Sequence, residues 1–403
     1  MVERPGHAAH SPLNQNVRSS SRQPGEAAAG AVLTIDLDAV RDNYRLLKGR
    51  LGQVRCAGVV KADAYGLGAA QVAAVLAGEG CDTFFVAHVC EGLALREVLG
   101  SGPDIYILNG TPPGAEDACA QAGLTTVVNS LEQLSAWRNA ARAARRRLPA
   151  ALQVDSGMSR LGMAPEEVER LAADASLLDG VEVKLVMSHL ACADEPAHPA
   201  NPAQKKAFDL LRALLPAAPS SLANSSGIFL GPDYHYDLAR PGAALYGVNP
   251  VPGQPNPMRA VAHLAAKVIQ TRTLIGGVGV GYGHTFRAEG PLRAATISLG
   301  YADGWHRRAA AGAYFDGVRL PFIGRVSMDS IIIDISALPE GALKAGDLVE
   351  IIGPNQTLDV VAGHAGTISY EVLTGLGRRF HRIYKGFQAP PSRKPGQLKE
   401  KQE

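Results

Sequence analysis

Eight short apolar runs between residues 54 and 240, separated by helix-forming stretches, limit what this chain can fold into. The runs are almost continuously apolar, as strands buried on both faces of a parallel sheet are. Eight strand–helix units make a closed (β/α)8 barrel, and a doubly wound open sheet is the structural alternative. The count favours the TIM-type barrel. The predicted strands are Val54–Val60, Phe84–Val89, Ile105–Leu108, Thr125–Val128, Ala151–Val154, Val183–Met187, Ser220–Ala223 and Tyr236–Ala239, with helical patterns between most of them from Ala69–Leu76 to Ala203–Leu215.

The sequence changes character after residue 260. Short β-rich runs follow, separated by Gly, Pro and Asp turns, and they predict a second, mainly β domain. We therefore expect an α/β protein with a barrel over residues 31–260 and a β domain over 261–388, the strand at 31–37 packing with the β domain. Residues 1–30 are expected to be a disordered extension and 389–403 a flexible tail, because such polar segments bury too little surface to offset chain entropy.

Charge and cysteine content exclude several classes of partner. With 40 basic and 38 acidic residues the formal net charge is +2. The chain therefore lacks the excess of positive charge that is typical of proteins binding nucleic acid or an anionic membrane. No apolar run reaches the roughly 18 residues that a membrane helix needs. Five scattered cysteines without a C-x-x-C pair favour reduced thiols and a cytoplasmic protein.

A metal site from His189, Cys192 and His198 is possible by residue type, but the stretch lacks a paired ligand motif and no metal is expected.

One lysine stands directly after the first predicted strand. The apolar run Ala57–Val60 delivers Lys61 to the strand end, and Tyr65 and Gly66 follow. Because a lysine placed there cannot extend freely into water, we expect desolvation to disfavour its charged form and to lower its pKa. A neutral amine is what a carbonyl cofactor needs to form a Schiff base. Most strand-terminal lysines are solvated surface groups, so this motif alone leaves both interpretations open.

Other predicted strands also end in groups that carry chemistry. Reactive groups of such barrels lie at the carboxyl ends of the strands, and here Arg160, His189, Ser225 and Arg240 follow strands five to eight. Backbone N–H groups beyond Arg240 can approach an anion where these barrels usually bind phosphate. A phosphate site, an amine-reactive lysine and a guanidinium on one rim fit pyridoxal 5′-phosphate. For Asn224 and Ser225 alone, a helix cap or turn is the simpler interpretation.

Five blocks of the sequence together carry a family resemblance. They are Val59–Gly66, Asp155–Gly162, Asn224–Gly227, Arg240–Gly247, and Ile297–Asp303 with Arg325–Asp329. In order and spacing they resemble the alanine racemases, the pyridoxal-phosphate enzymes of fold type III, over about residues 31–386. The resemblance implies the barrel, the C-terminal β domain, a head-to-tail homodimer and racemisation of L-alanine to D-alanine, which would supply peptidoglycan.

Carried over position by position, the resemblance implies a two-base reaction. Lys61 resembles the Schiff-base lysine and the base on one face of the substrate Cα, and the partner subunit's Tyr282 resembles the base on the opposite face. Arg240 resembles the guanidinium that hydrogen-bonds the pyridine nitrogen, which would then stay unprotonated because guanidinium keeps its own proton. His189 resembles the link from that arginine to the tyrosine, and Arg160 resembles the donor to the cofactor's phenolic oxygen.

The resemblance also implies the remaining contacts to cofactor and substrate. Met328, again from the partner, resembles the residue whose backbone meets the substrate carboxylate. Arg160 and Tyr301 are implied at the substrate, and Tyr301, Asp194 and Arg307 resemble a substrate-access corridor. The further implied cofactor ligands are Tyr65, Asn224, Ser225, Gly242, Ala243 and Tyr370.

Two positions depart from the family pattern. Gln153 stands where the family often has a carbamylated lysine, and an amide cannot be carbamylated. Its side-chain oxygen offers another way to orient Arg160. In the block around Tyr282, His284 and Phe286 differ from the family's usual residues, so the base is kept while its surroundings change.

Other functions compete with this interpretation. A broader-specificity amino-acid racemase would share the fold and the same residues. A decarboxylase of the fold would be expected to offer a cysteine in its β domain, but no cysteine follows Cys192. A non-catalytic cofactor-binding protein of the barrel-only type would lack the β domain and Tyr282. A nucleotide-binding interpretation of Gly277–Gly281 fails because the run opens no helix in a βαβ unit.

Overall fold

The computed structural model describes residues 25–386, so the expectations for residues 1–24 and 387–403 lie outside the described range. Residues 25–30 belong to the segment expected to be disordered, but here they form a turn in which Ala28 N–H donates to the Gly25 carbonyl at 2.9 Å. Ala29 is buried. The ordered chain therefore begins a few residues earlier than the composition predicts.

Parallel strands at the start of the chain close into a barrel. Backbone hydrogen bonds run from Asp237 to Ser220 and from Arg240 to Ala223, and Ala57 N–H donates to the Ala239 carbonyl at 2.9 Å, which joins the last strand to the first. After β1 (Ala31–Asp36), the barrel strands are β2 (Arg55–Cys56) continued by β3 (Gly58–Val59), β4 (Thr83–Val86), β5 (Asp104–Ile107), β6 (Thr125–Val128), β7 (Leu148–Gln153), β8 (Val181–Met187), β9 (Ser220–Ser221) and β10 (Leu238–Ala239).

The barrel helices pack outside these strands, and the first two helical segments, α1 and α2, were not predicted. The helix α1 begins directly after β1, where the Asp36 carboxylate accepts the Ala39 N–H at 2.8 Å and caps it. It buries Val40, Tyr44 and Leu47 at helical spacing. The helical segments are α1 (Leu37–Leu51), the short left-handed α2 (Lys61–Gly66), α3 (Ala69–Gly78), α4 (Val89–Leu99), α5 (Glu116–Gln121), α6 (Leu131–Ala144), α7 (Pro165–Ala173) and α8 (Ala200–Arg212).

The second domain is built on an eight-stranded sheet. Its strands lie in the order β14 (Leu292–Ile297), β17 (Ile331–Asp334), β16 (Val318–Ile323), β15 (Gly312–Phe315), β18 (Leu348–Ile352), β11 (Ala262–Leu274), β1 and β19 (His381–Lys385). Strand β1 pairs antiparallel with β11 and parallel with β19, so the first strand of the chain belongs to this sheet. A barrel followed by a mainly β domain is the predicted fold class, and it is confirmed. The domain also contains β12 (Gly279–Val280), β13 (Phe286–Arg287), α9 (Leu358–Ala365) and α10 (Ser369–Gly375).

The helix α10 returns to the barrel and helps to position the site. Gly66 ends the segment that follows the first barrel strand. An added Cβ on Gly66 would lie 2.7 Å from the Leu373 carbonyl oxygen of α10, so the two backbones are in close contact. Within residues 25–386, no helix is both long and apolar enough to cross a membrane. All five cysteines are free thiols, in agreement with the sequence.

Candidate active site

A cavity of about 1030 Å³ lies at the carboxyl ends of the barrel strands, where α9 and α10 cover part of its opening. Such a rim is where (β/α)8 enzymes carry their reactive groups. The cavity brings together all ten cofactor residues that the sequence suggests, and Asp194 of the suggested corridor lines it too. The ten residues are Lys61, Tyr65, Arg160, His189, Asn224, Ser225, Arg240, Gly242, Ala243 and Tyr370.

Lys61 enters this cavity from the end of the first barrel strand. Burial is the main factor that lowers the pKa of its amine, and the nearby Arg160 guanidinium lowers it further, whereas the Glu91 carboxylate opposes the shift. This is the direction that the apolar run before Lys61 predicts. The lowered pKa favours the unprotonated, nucleophilic form of the amine.

The segment after Lys61 is a left-handed turn. Ala62, Asp63, Ala64 and Tyr65 have φ angles of 52°, 54°, 54° and 56°. Side chains at such angles cost roughly 1–2 kcal/mol per residue, so the turn persists only where its surroundings fix it. At its far end the Asp63 carboxylate accepts the Ala69 N–H at 2.7 Å. The strain lies directly beside the Lys61 amine, and strain of this kind is typical of functional sites.

An anion cradle lies where strands seven and eight end. The Ser225 hydroxyl oxygen accepts the N–H groups of Gly242 at 3.0 Å and Ala244 at 3.1 Å, which leaves its own O–H to donate into the cavity. A Cβ on Gly242 would lie 2.5 Å from the Tyr65 phenol oxygen, so only glycine fits there. Burial raises the pKa of Tyr65 to about 12 and keeps it a donor. Hydroxyls and backbone N–H groups at the start of a 3₁₀ turn suit a phosphate.

Asn224 has a structural role in this cradle. Its side-chain oxygen accepts the Gly227 N–H at 2.9 Å, and its amide donates to the Leu190 carbonyl at 3.4 Å. It therefore caps the turn after strand seven, which is the simpler interpretation that the sequence offers for this residue.

Arg240 is buried in the floor of the cavity. Its two Nη groups donate to the Ser221 hydroxyl and, at 2.6 Å, to the Ser188 carbonyl. Burial lowers its pKa to about 9, so the guanidinium stays charged at neutral pH. Among the described residues no hydrogen bond uses its Nε–H, which remains for a ligand in the cavity.

His189 lies beside Arg240 and is neutral. Burial and the positive charges of Arg240, Arg160 and Lys61 lower the pKa of its imidazole to about 3. A neutral imidazole can accept a hydrogen bond on one nitrogen and donate one from the other. His189 can therefore connect Arg240 to another polar group, but it adds no positive charge of its own.

Arg160 is carried by a loop that one carboxylate organises. Asp155 Oδ1 accepts the N–H groups of Gly157, Met158 and Ser159 at 2.9, 2.9 and 3.1 Å. The Arg160 side chain is exposed in this single chain. In the part of the chain that the structure describes, no hydrogen bond joins the Gln153 side chain to Arg160, so the expected orientation of Arg160 by Gln153 is not observed.

Four of the suggested substrate residues lie outside this cavity, in the β domain. The side chains of Tyr282, Tyr301 and Met328 are 67%, 42% and 52% exposed, and Arg307 does not line the cavity either. The loops that carry Tyr301 and Met328 are joined where Ala302 N–H donates to the Met328 carbonyl at 3.0 Å. Large apolar side chains exposed together are typical of an interaction surface.

The structure also identifies supporting residues that sequence reasoning missed. The buried Gln204 on α8 donates to the His189 carbonyl at 3.0 Å and accepts the Ala191 N–H at 2.8 Å, so it fixes the segment that carries His189. Ser221 accepts from Arg240 and donates to the Leu238 carbonyl. A signal for Gln204 exists, because its spacing to Phe208 and Leu211 places it on the buried face of its helix.

Comparisons with known proteins agree with this geometry. The profile described as alanine racemase, N-terminal domain, matches residues 35–250, and that of the C-terminal domain matches residues 261–384. A protein of Mesorhizobium japonicum named as a catabolic alanine racemase is 68% identical over 361 residues, which cover 90% of this chain and 95% of that protein. One of Agrobacterium fabrum with the same name is 54% identical over 366 residues, covering 90% of this chain and 94% of that protein.

A solved structure has the same fold. The crystal structure of alanine racemase from Bartonella henselae with covalently bound pyridoxal phosphate superposes with a TM-score of 0.85 at 43% identity, covering 89% of this chain and all of that one. The alanine racemase of Streptomyces lavendulae gives 0.84 at 34% identity, covering 89% of this chain and 98% of that one. The resemblance seen in the five sequence blocks is confirmed.

The protonation state of His189 makes a prediction about stability. The unfolded imidazole binds a proton as the pH falls through about 6.5, whereas the folded one does not until about 3. His189 alone should therefore lower the free energy of unfolding of the apoprotein by about 1 kcal/mol per pH unit below 6.5. Denaturant unfolding of wild type and His189→Asn at pH 7, 6 and 5 should show the wild type losing stability relative to the variant. Parallel curves would contradict a neutral, buried imidazole.

Proposed function

The chain belongs to the alanine racemase family, and on that premise we propose that it interconverts L- and D-alanine with pyridoxal 5′-phosphate bound in the barrel cavity. The observation that carries this proposal is that Lys61, an amine with a lowered pKa, shares one cavity with an anion cradle and the buried guanidinium of Arg240. No single one of these features is specific. Together they fit one ligand that carries an aldehyde for the Lys61 amine, a phosphate for the anion cradle and a pyridine ring for the Arg240 guanidinium.

The donor groups of the cavity fit this cofactor. The phosphate would be held by the hydroxyls of Ser225, Tyr65 and Tyr370 and by the N–H groups of Ala243 and Gly242, and all five residues line the cavity. The Gly242 N–H would exchange its bond to the Ser225 hydroxyl oxygen for one to the phosphate. The fit is supported by the absence of space for any side chain at Gly242. A cradle of neutral donors binds a phosphate without adding further cations to the site.

The two guanidinium groups would bind the ring of the cofactor. Arg240, through its Nε–H, would donate to the pyridine nitrogen, and Arg160 would donate to the phenolic oxygen. When bound, the cofactor supplies an electron sink for the pair of electrons left when the α-proton departs. Because Arg240 stays protonated, it would keep the ring nitrogen an acceptor. The weaker sink limits side reactions such as transamination.

Two bases on opposite faces of Cα would account for inversion. Lys61 would take or return the proton on one face, and the partner subunit's Tyr282 would do so on the other. The exposed positions of Tyr282, Met328 and Tyr301 support a head-to-tail homodimer in which the β domain of one subunit covers the cavity of the other. The partner's Met328 backbone would meet the substrate carboxylate, with Tyr301, Asp194 and Arg307 along the access corridor.

Replacing Lys61 tests the central assignment. Lys61→Ala should lose covalently linked cofactor and at least about 10³-fold in racemase activity, because one base and the attachment point disappear together. The matched control is Lys184→Ala, an exposed lysine of β8 paired with Glu182, which should keep both. Chirality inversion should be assayed over a panel of L-amino acids. Equal rates on many of them would favour the broader-specificity racemase, and full activity of Lys61→Ala would refute the assignment.

Subunit mixing tests the shared site. Inactive Lys61→Ala and Tyr282→Phe proteins, allowed to exchange subunits, should regain about a quarter of wild-type activity, since half of the dimers are then hybrids with one competent site each. Native mass spectrometry should verify the exchange. Exchange without recovered activity would count against a tyrosine supplied by the partner.

The physiological direction is a separate proposal. We propose that the enzyme is cytoplasmic, because its five cysteines are free thiols. We also propose that it supplies D-alanine for peptidoglycan. Deletion of its gene should then make growth depend on added D-alanine. Two relatives carry the word catabolic in their names, which favours the opposite direction as the second candidate. Loss of growth on alanine as the carbon source, without a D-alanine requirement, would support that candidate and contradict the biosynthetic one.

A further inference from the structure

One carboxylate connects the turn that carries Lys61 to the neighbouring barrel strand. Glu91 Oε1 accepts the N–H of Ala62 at 2.6 Å. Its other oxygen, Oε2, accepts the N–H groups of Ala87 at 2.7 Å and His88 at 3.0 Å, just beyond the end of β4. Glu91 thus joins the ends of two adjacent strands at the rim of the cavity.

Helix capping explains only part of this arrangement. Glu91 is the third residue of α4, and a glutamate there commonly reaches back to the N–H groups that precede the helix. The bonds to Ala87 and His88 are of this kind. The bond to Ala62 is not, because it leaves the helix and contacts the residue that directly follows Lys61.

The turn that receives this bond needs outside support. It contains four successive left-handed residues, and Ala62 is the first of them. Its far end is fixed by Asp63 binding the Ala69 N–H and by Arg382 donating to the Gly66 carbonyl. At its near end, within the described residues, the Ala62 N–H is held by Glu91. The peptide between Lys61 and Ala62 therefore depends on that carboxylate for its orientation.

We propose that Glu91 is a positioning residue for Lys61: by holding the first peptide of the left-handed turn, it sets the direction in which the lysine amine enters the cavity. Precise placement of a reacting group is worth large factors in reactivity, and the groups that hold it must themselves be fixed. This inference rests on the role of Lys61 proposed above. It assigns to Glu91 no contact with substrate or cofactor.

The test compares variants of one helix by cofactor binding. Apoprotein of wild type, Glu91→Gln, Glu91→Asp and Glu97→Gln is titrated with pyridoxal 5′-phosphate, and linkage is followed by visible absorbance. Gln presents an NH₂ group to backbone donors, and Asp keeps the charge but is too short to connect α4 to Ala62. Both Glu91 variants should bind at least tenfold more weakly, while the Glu97 variant, altered at an exposed position of α4, should match wild type.

A second substitution separates positioning from general damage. Glycine adopts left-handed angles without steric cost, so Ala62→Gly should reduce the need for support. The double variant Glu91→Gln, Ala62→Gly should bind the cofactor at least threefold more tightly than Glu91→Gln alone, with unchanged far-UV circular dichroism. No recovery, or wild-type binding by Glu91→Gln and Glu91→Asp, would overturn the positioning role. If Lys61→Ala still links the cofactor, the proposed function fails instead.

Discussion

A lysine amine held out of bulk water, at the start of a strained turn, is the constraint on which the rest of this structure depends. Burial and the Arg160 guanidinium both favour the neutral form of Lys61. Neither would have this effect if the turn could relax and release the side chain to solvent. In the proposed function the left-handed backbone after Lys61 is therefore part of the chemistry, because it determines where the amine lies and what surrounds it.

The electrostatics of the cavity follow from that constraint. Arg240 stays charged at neutral pH, because burial lowers its pKa only to about 9. Its hydrogen bonds to Ser188 and Ser221 satisfy its Nη groups. His189 is neutral because burial disfavours its charged form and the neighbouring cations repel a further positive charge. The cavity thus offers two guanidinium groups and neutral donors to an anionic ligand. This is the arrangement that a phosphate-bearing aldehyde cofactor and an amino-acid substrate require.

The sequence predicts the barrel well because its strands are buried on both faces, so their apolar runs are nearly uninterrupted. It does not separate α1 from β1, since the helix begins at Leu37 without an intervening loop and its periodic residues follow a strand-like run. The left-handed turn could not be predicted, because Ala62 and Ala64 are helix formers and the contacts that hold the other hand come from distant segments such as α4 and α10.

Similar limits apply to the site. The rule that reactive groups follow barrel strands places Lys61, Arg160, His189 and Arg240 at one rim, and the structure brings them to one cavity. The contact suggested between Gln153 and Arg160 depends on the loop built around Asp155, whose geometry no periodicity encodes. Contacts between distant segments, such as that of Glu91 with Ala62, are equally invisible in sequence.

The most direct test of the account is a crystal structure of the enzyme loaded with pyridoxal 5′-phosphate. We predict continuous electron density from the Lys61 amine to the cofactor, and the phenol of the partner subunit's Tyr282 facing it from the opposite side. A cofactor bound elsewhere, or a tyrosine on the same side as the lysine, would contradict the account.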